Sequence, residues 1–479
     1  MWRRIAVAVS HLAVSALLVL PVLLPRHVPA VDLPSHLYNT WLVMLVRQGR
    51  APGLELAPQW SNVLFDWWLE GLWQLGGPVV AEKVAVATAV LIFFWGGFAW
   101  VSAITRRAAW SSAPLIAMLA YGWCYHQGFF NYYLSCGFGF WALAFVWNPP
   151  PRVWAAVATL VPAALAHPVG AAAAAGLAAF VVLTRDMGWR KRDLAAATCC
   201  VGLMVAGRII QEALPAQWEL HQGFHVVFAT QLRPFGEKYN GFLLGVAALW
   251  FFCLWVRAMR EKSLLLQEPA VCLAGIIATA ILAIPGAVQL PGTSRPLHFV
   301  DFRLALFLSP VLQALAVAAQ PRRMPFLGAL MTVMAVPYFL FLASDYRYLN
   351  EAQDEFFRAA HQIPEGGRAV AAATGRPAGM NPLSHMLDKA CIGRCFAYGN
   401  YVPSSNSFRL RSRPGSTLAL DESAEVDRLA AGLFVVRPRD VPLYGVFLQS
   451  AQPFRLEARS LHEGERVPLR SVPIPPDWF

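Results

Sequence analysis

Apolar residues fall along this chain in long blocks, with polar residues gathered between them. Blocks at 5–24, 84–104, 113–125, 132–147, 153–166, 169–183, 194–209, 241–256, 269–288, 302–319 and 325–343 approach the ~20 residues that an α-helix needs to cross hydrocarbon. They predict about eleven spanning helices. The stretch 153–183 is too long for one helix, and Pro168 disfavours helix at His167, so it reads as a tight helical hairpin turning at His167-Pro168. The run after Met1-Trp2-Arg3-Arg4 is long enough to span and reads as an uncleaved first helix.

Two stretches break the pattern. Within the first long loop, residues 25–83, Leu33 to Gln48 has helical periodicity. Gln59 to Leu75 carries Trp60, Phe65, Trp67, Trp68 and Trp73, interrupted by Asp66 and Glu70. That segment is too polar to span, and its Trp-rich face suits the membrane–water interface. From Ser344 onward a helix at Tyr346–His361 is followed by short β-like runs at Ala369–Ala373, Leu433–Val436 and Val446–Leu448, separated by Pro and Gly. The expected fold is an all-α polytopic membrane bundle over 1–343, including loop 25–83 with its interfacial helices. A small extracytoplasmic α/β domain is expected over 344–479.

Composition agrees with this reading. Hydrophobic residues make up 57% of the chain and charged residues 14%, against about 25% charged in a soluble domain. The net charge of +11 changes the picture through its placement. The loops holding Arg3-Arg4, Arg106-Arg107, Arg152, Arg185 with Arg190-Lys191-Arg192, Arg257 with Arg260 and Lys262, and Arg322-Arg323 carry fourteen basic residues against four acids. The alternate loops are neutral, and the tail from Ser344 holds 16 basic and 15 acidic residues. The excess therefore lies in every second loop. This predicts a cytoplasmic N-terminus and an outer tail, periplasmic or extracellular, in a bacterial-type inner membrane. No basic stripe remains for nucleic acid. Six cysteines lie in apolar blocks and read as packing residues. Cys391 and Cys395 lie in the outer tail, where a disulfide between them is permitted.

Asp32 opens the candidate chemistry. With His36 and Asn39 it would share one helix face in Asp32-Leu33-Pro34-Ser35-His36. A desolvated carboxylate at the membrane face can act as a general base. The plain alternative is a helix N-cap, since Asp before Pro-Ser-His is a good helix start. Arg303, in Arg295-Pro296-Leu297-His298-Phe299-Val300-Asp301-Phe302-Arg303, would lie just inside the outer end of a span. A buried arginine there needs a partner, either Asp301 or a lipid phosphate. Arg295, Arg233 and Lys238 are further cations for that phosphate. Glu70, His126, Asn131 and His167 are candidates for a donor or acceptor pocket. His221 and His225 have metal spacing but no Glu in register, and each reads as an interfacial histidine.

These features together resemble the GT-C superfamily of membrane glycosyltransferases, which use polyprenyl-phosphate-linked sugars. The resemblance covers about residues 1–350: a first span, an outer loop with an acid just outside it, two interfacial helices, a many-helix bundle and an outer C-terminal domain. Relatives often place Asp-Glu or Asp-Glu-x-x-His in this loop, and Asp32 and His36 match the acid and the histidine. Leu33 stands where a second acid is common, which leaves a divalent metal open and without the usual paired acids. The resemblance implies transfer of a sugar from a polyprenyl phosphate to a glycan, lipid or protein acceptor at the outer surface. Asp32, with His36, would be catalytic, and Arg303 would bind the lipid phosphate. The alternatives are a non-catalytic membrane scaffold or assembly protein with the same body and, third, a lipid flippase or transporter. The last fits poorly, because polar residues gather at the outer span ends and not at the bilayer midplane.

Overall fold

The computed structural model describes residues 2–260, 268–318, 326–375, 380–451 and 453–471. Glu261, Lys262, Arg322 and Arg323 of the basic loops lie outside the described residues.

The apolar blocks form helices, though not uniform ones. In chain order they are α1 (Trp2–Leu23), α2 (Leu33–Arg47), α3 (Leu64–Thr105), α4 (Ala113–Ala120), α5 (Trp123–His126), α6 (Phe130–Trp147) and α7 (Val153–Ala166). There follow α8 (Pro168–Thr184), α9 (Trp189–Ala213), α10 (Gln222–Val227), α11 (Asn240–Arg260), α12 (Pro269–Ala283), α13 (Val300–Ala318) and α14 (Phe326–His361). Five helices among the described residues are long and apolar enough to cross a membrane: Leu64–Thr105, Trp189–Ala213, Glu237–Arg260, Val300–Ala318 and Phe326–His361. Val7–Leu23, Val153–Ala166, Pro168–Thr184 and Pro269–Ala283 are apolar but shorter. The expected span at 113–125 is not a single helix. It ends at Tyr121 as an eight-residue helix, followed by the short α5.

The Trp-rich segment and the second span are one bent helix, α3. Its bend lies at Gly77, where φ is 77°, a left-handed backbone open to glycine, and Pro78 follows without an N–H to continue the ladder. The expected break at His167 is present. His167 is extended (φ −161°, ψ 129°), and its Nδ1 accepts the Val169 N–H at 3.2 Å, capping α8.

Across 343/344, α14 runs without a break from its apolar half into the tail. The tail also folds back onto the first loop. Strand Leu54–Leu56 pairs antiparallel with Leu410–Ser412. The Ala397 N–H donates to the Tyr38 hydroxyl at 2.8 Å, and Asn400 donates to Asn39 at 2.7 Å. Lys389, nearly buried, bonds both carboxylate oxygens of Glu82 on α3 at 2.7 and 2.8 Å. One apolar core therefore includes Leu33, Tyr38 and Phe65 together with Cys391, Ala397 and Val402. Removing either partner of the Lys389–Glu82 pair would strand a buried charge, a loss of about 3–5 kcal/mol. The tail also holds a four-stranded sheet in the order Phe454–Leu461, Leu443–Ala451, Arg368–Ala371, Phe396–Ala397, and two smaller pairings, Phe434–Val435 with Arg466–Val467 and Ala373–Thr374 with Arg470–Ser471.

The tail disulfide is formed. Cys391 ends the helix α15 (Met386–Cys391) and is bonded to Cys395, with Cα atoms 4.6 Å apart and both residues fully buried. Cys124, Cys136, Cys253 and Cys272 are buried packing residues, whereas Cys199 is exposed on α9.

Candidate functional site

The site begins where the chain turns from α1 into α2. The Val31 N–H donates to the His126 carbonyl at 2.8 Å, and the Asp32 N–H to that of Gln127 at 3.1 Å. This stitching brings the backbone against Gly128, whose φ is +79°. A Cβ there would lie 2.6 Å from the Asp32 nitrogen, so only glycine permits the approach. Asp32 occupies the N-cap position of α2, yet its side chain makes no capping bond. The carboxylate instead lines a cavity of about 910 Å³.

Five other parts of the chain wall that cavity. The loop before α3 brings Gln59 and Asn62, the start of α6 brings Asn131 and Tyr132, the α7–α8 turn brings His167, the approach to α13 and its first turn bring Arg295 and Arg303, and the tail brings His385 and Asp388. Asp32, His36, Arg295, Arg303, Asn131 and His167, scattered over more than half of the chain, thus line one space.

Arg303 is 8% exposed. Its guanidinium lies 4.2 Å over the Phe129 ring and 5.2 Å over Tyr132. Its Nε donates to the His298 carbonyl at 3.3 Å, and its Nη1 lies 3.2 Å from His167 Nε2. His167 already accepts at Nδ1, and a neutral imidazole has one N–H and one acceptor. It cannot accept from both partners. The Asp301 pair, the alternative to a lipid phosphate, does not form: Asp301 Oδ2 sits 3.2 Å from His225 Nε2 instead. Among the described residues no carboxylate forms an ion pair with Arg303, so its charge is answered by aromatic faces, one carbonyl and the cavity. Arg295 also lines the cavity but is paired with Asp427 at 2.8 Å and lies 4.9 Å over Tyr401.

His36 is held through a second carboxylate. Its Nδ1 lies 2.7 Å from Asp66 Oδ1, Asn131 donates to Asp66 Oδ2 at 3.0 Å, and the Phe65 N–H donates to Asn131 Oδ1 at 2.8 Å. On the opposite wall, His385 Nε2 lies 3.7 Å from Asp32 Oδ1, and its Nδ1 lies 3.0 Å from Asp388 Oδ2. Burial pushes the Asp32 carboxyl above the usual carboxylate range, with His385, His36 and Arg303 acting against that push. Burial works against the charge on His36, but Asp66, with Asp32, overcomes it and raises the imidazole above its ordinary value.

Four expected site residues lie elsewhere. Glu70 is 5% exposed and bound by Arg47 at 2.8 Å and by Arg409. It sits four residues beyond Asp66, about 6 Å further along α3, against those arginines and outside the cavity lining. His126 is fully buried, its Nε2 2.9 Å from the Tyr346 hydroxyl. Lys238 is paired with Asp345, and Arg233 faces Glu237 at 3.8 Å on the surface. None of the four lines the cavity. Sequence reasoning passed over Asp66, His385, Asp388 and Tyr401. The only local signal for the tail pair was His and Asp at i and i+3.

Among the described residues no group of three or more His, Cys, Asp or Glu is placed to hold a metal ion. What the cavity offers is a carboxylate with a raised proton affinity, and a buried guanidinium without an acid partner. These are the parts of a base and an anion stabiliser. No family model, curated protein or solved structure matches this chain.

Proposed function

We propose that this chain is a GT-C-like membrane glycosyltransferase that moves a sugar from a polyprenyl-phosphate donor to an acceptor at the outer membrane surface. The observation that carries this reading is that Asp32 and Arg303 line the same cavity, the first not used as a helix cap and the second not neutralised by an acid.

In the proposed reaction the acceptor hydroxyl oxygen attacks the anomeric carbon. The bond from that carbon to the phosphate oxygen breaks, and the phosphate leaves with the electron pair. Asp32 takes the hydroxyl proton. Arg303 balances the charge that grows on the phosphate, as a fixed donor in a desolvated site does best. Arg295, with Tyr401 beneath it, borders the same space. His36 stands one helical turn beyond Asp32, its imidazole oriented by Asp66 and Asn131.

Orientation follows from the charge pattern, with eleven crossings as the fuller form of this topology. Each apolar helix that reaches the cavity does so with its expected outer end, as α6, α8 and α13 do near Asn131, His167 and Arg303. Reporter fusions at Arg190 and at the C-terminal end are expected on opposite sides of a bacterial inner membrane. Both on one side would overturn the topology and the outer placement of the site.

The direct test is transfer by purified protein in detergent from a panel of radiolabelled polyprenyl-phosphate sugars, read as label passed to added acceptors or to water. No turnover from folded protein with any donor would return the chain to the scaffold reading. The pH dependence has a defined sign. Asp32 must be ionised to act as base, and burial raises its pKa. Turnover is therefore expected to fall on acidification, with the loss setting in above the pH at which an ordinary carboxyl protonates. An acid limb at the ordinary carboxylate value would count against Asp32 as the base.

A further inference from the structure

The tail enters the cavity on one short helix, α15, and this helix is anchored at three points. Gln353 of α14 donates to the Met386 carbonyl at 2.9 Å, Lys389 bonds Glu82 of α3, and Cys391 is tied to Cys395. At its start stands His385, its side chain 17% exposed, between Asp388 and Asp32. Neither carboxylate is spent elsewhere by an ion pair to Lys or Arg among the described residues.

We propose that His385, held by Asp388, is a positioning residue: the counter-cation that keeps Asp32 ionised and aimed into the cavity, so that the C-terminal region completes the site. The inference rests on the glycosyltransferase reading for its purpose, though not for its geometry. Nδ1 faces one carboxylate at 3.0 Å and Nε2 faces the other at 3.7 Å. Carboxylates only accept, so an imidazole between two of them does best with a proton on each nitrogen, which makes it a cation.

The surrounding charges fit that state. Asp388 and Asp32 favour the cation, Arg295 from the loop before α13 opposes it, and the Tyr401 ring packs 5.4 Å away. Lys389, next on the helix, is turned away onto Glu82. Burial works against the charge on His385, but the bond to Asp388 overcomes it and holds the imidazole above its ordinary value. Asp32 in turn feels His385 ahead of His36 and Arg303. His385 thereby opposes the upward push that burial exerts on the base. This is a positioning role, because His385 acts through Asp32.

The test compares wild type with His385→Gln, Asp388→Asn and His385→Lys. An opposite charge at this range is worth about one to three pKa units. His385→Gln is therefore expected to move the acid limb of turnover up by about that many pH units, with Asp388→Asn moving it the same way by less. His385→Lys restores a cation and is expected to return the limb part of the way. An equal loss at every pH, with the limb unmoved and no rescue by lysine, would reduce His385 to a packing residue. The second readout needs no substrate. The Asp32 carboxyl is titrated by infrared difference spectroscopy on the full-length protein in detergent, its band assigned by subtraction of Asp32→Asn. His385→Gln is expected to shift that titration upward. If it does so while no donor is turned over, the glycosyltransferase reading fails and the electrostatic device stands. If turnover is present and the titration does not move, this inference fails alone.

Discussion

Asp32→Asn is expected to lower sugar transfer about a hundred- to ten-thousand-fold, the range for losing a general base, while the melting temperature stays close to wild type. The two halves of this expectation have separate grounds. The fold should hold because the Asp32 side chain caps nothing, while its backbone N–H, which asparagine keeps, makes the bond to Gln127. Asparagine is also nearly the same size, so Gly128 meets no new atom. Turnover should fall because the amide cannot take a proton from the acceptor. Glu70→Gln supplies the contrast. That carboxylate is locked between Arg47 and Arg409, so its loss is expected to cost stability and to leave transfer by the surviving folded protein near wild type. Full transfer by Asp32→Asn would remove the base from this mechanism. Loss in Glu70→Gln alone, at unchanged stability, would assign the base to the other carboxylate.

The second large effect is expected at Arg303. Arg303→Ala should cut turnover about a hundred- to a thousand-fold, as removal of one fixed donor from a developing oxyanion does, and weaken donor binding with it. Removing an arginine usually strands an acid. Here no ion-paired acid is stranded, because Asp301 belongs to His225. What is lost inside the protein is the cover over Phe129 and Tyr132 and a bond to the His298 carbonyl. Expression and detergent stability are therefore expected to survive. Arg303→Lys should recover only part of the binding, since an ammonium is a point charge and not a planar fork. Donor affinity measured with the labelled lipid decides the matter. Unchanged affinity and turnover in Arg303→Ala would leave the residue as an aromatic-packed structural cation.

How much of this was legible beforehand depends on the range over which each feature is encoded. The break at His167 was legible because proline acts on its immediate neighbour. So was the helix after Asp32, a local pattern, whereas the Trp-rich stretch is helical only from Leu64. The count of spans was less so. Hydropathy over 113–125 is uniformly high, and nothing in a sliding window marks the stop at Tyr121. The helix that crosses the expected cut was hidden for a related reason. Composition changes sharply near Ser344, but backbone hydrogen bonding does not, and α14 carries on through the change. In the site, Asp32 and Arg303 stood out because charge at the edge of an apolar block is costly and conspicuous. His385 and Asp388 lie in polar surroundings where charge is cheap. Only the fold, which lays α15 across the mouth of α2, gives them their place. Glu70 against Asp66 is the finest case: the two are separated by one helical turn, and no sequence pattern says which of them meets His36 on the cavity wall.

The pairing of Leu54–Leu56 with Leu410–Ser412 sets the order of events in biogenesis. The first strand leaves the ribosome near the beginning of synthesis and its partner near the end. At about 5–20 residues per second, tens of seconds separate them. During that interval the loop that holds Leu54–Leu56 has an open strand edge, and Glu82 awaits Lys389. The nascent chain therefore passes through a long stage in which its helices can be inserted while the surface shared by the first loop and the tail is unfinished and adhesive. That stage is a natural point of engagement for chaperones and for proteases that clear incomplete chains. Chains halted before residue 410 should be cleared quickly, even though nearly all of their apolar helices have already been made.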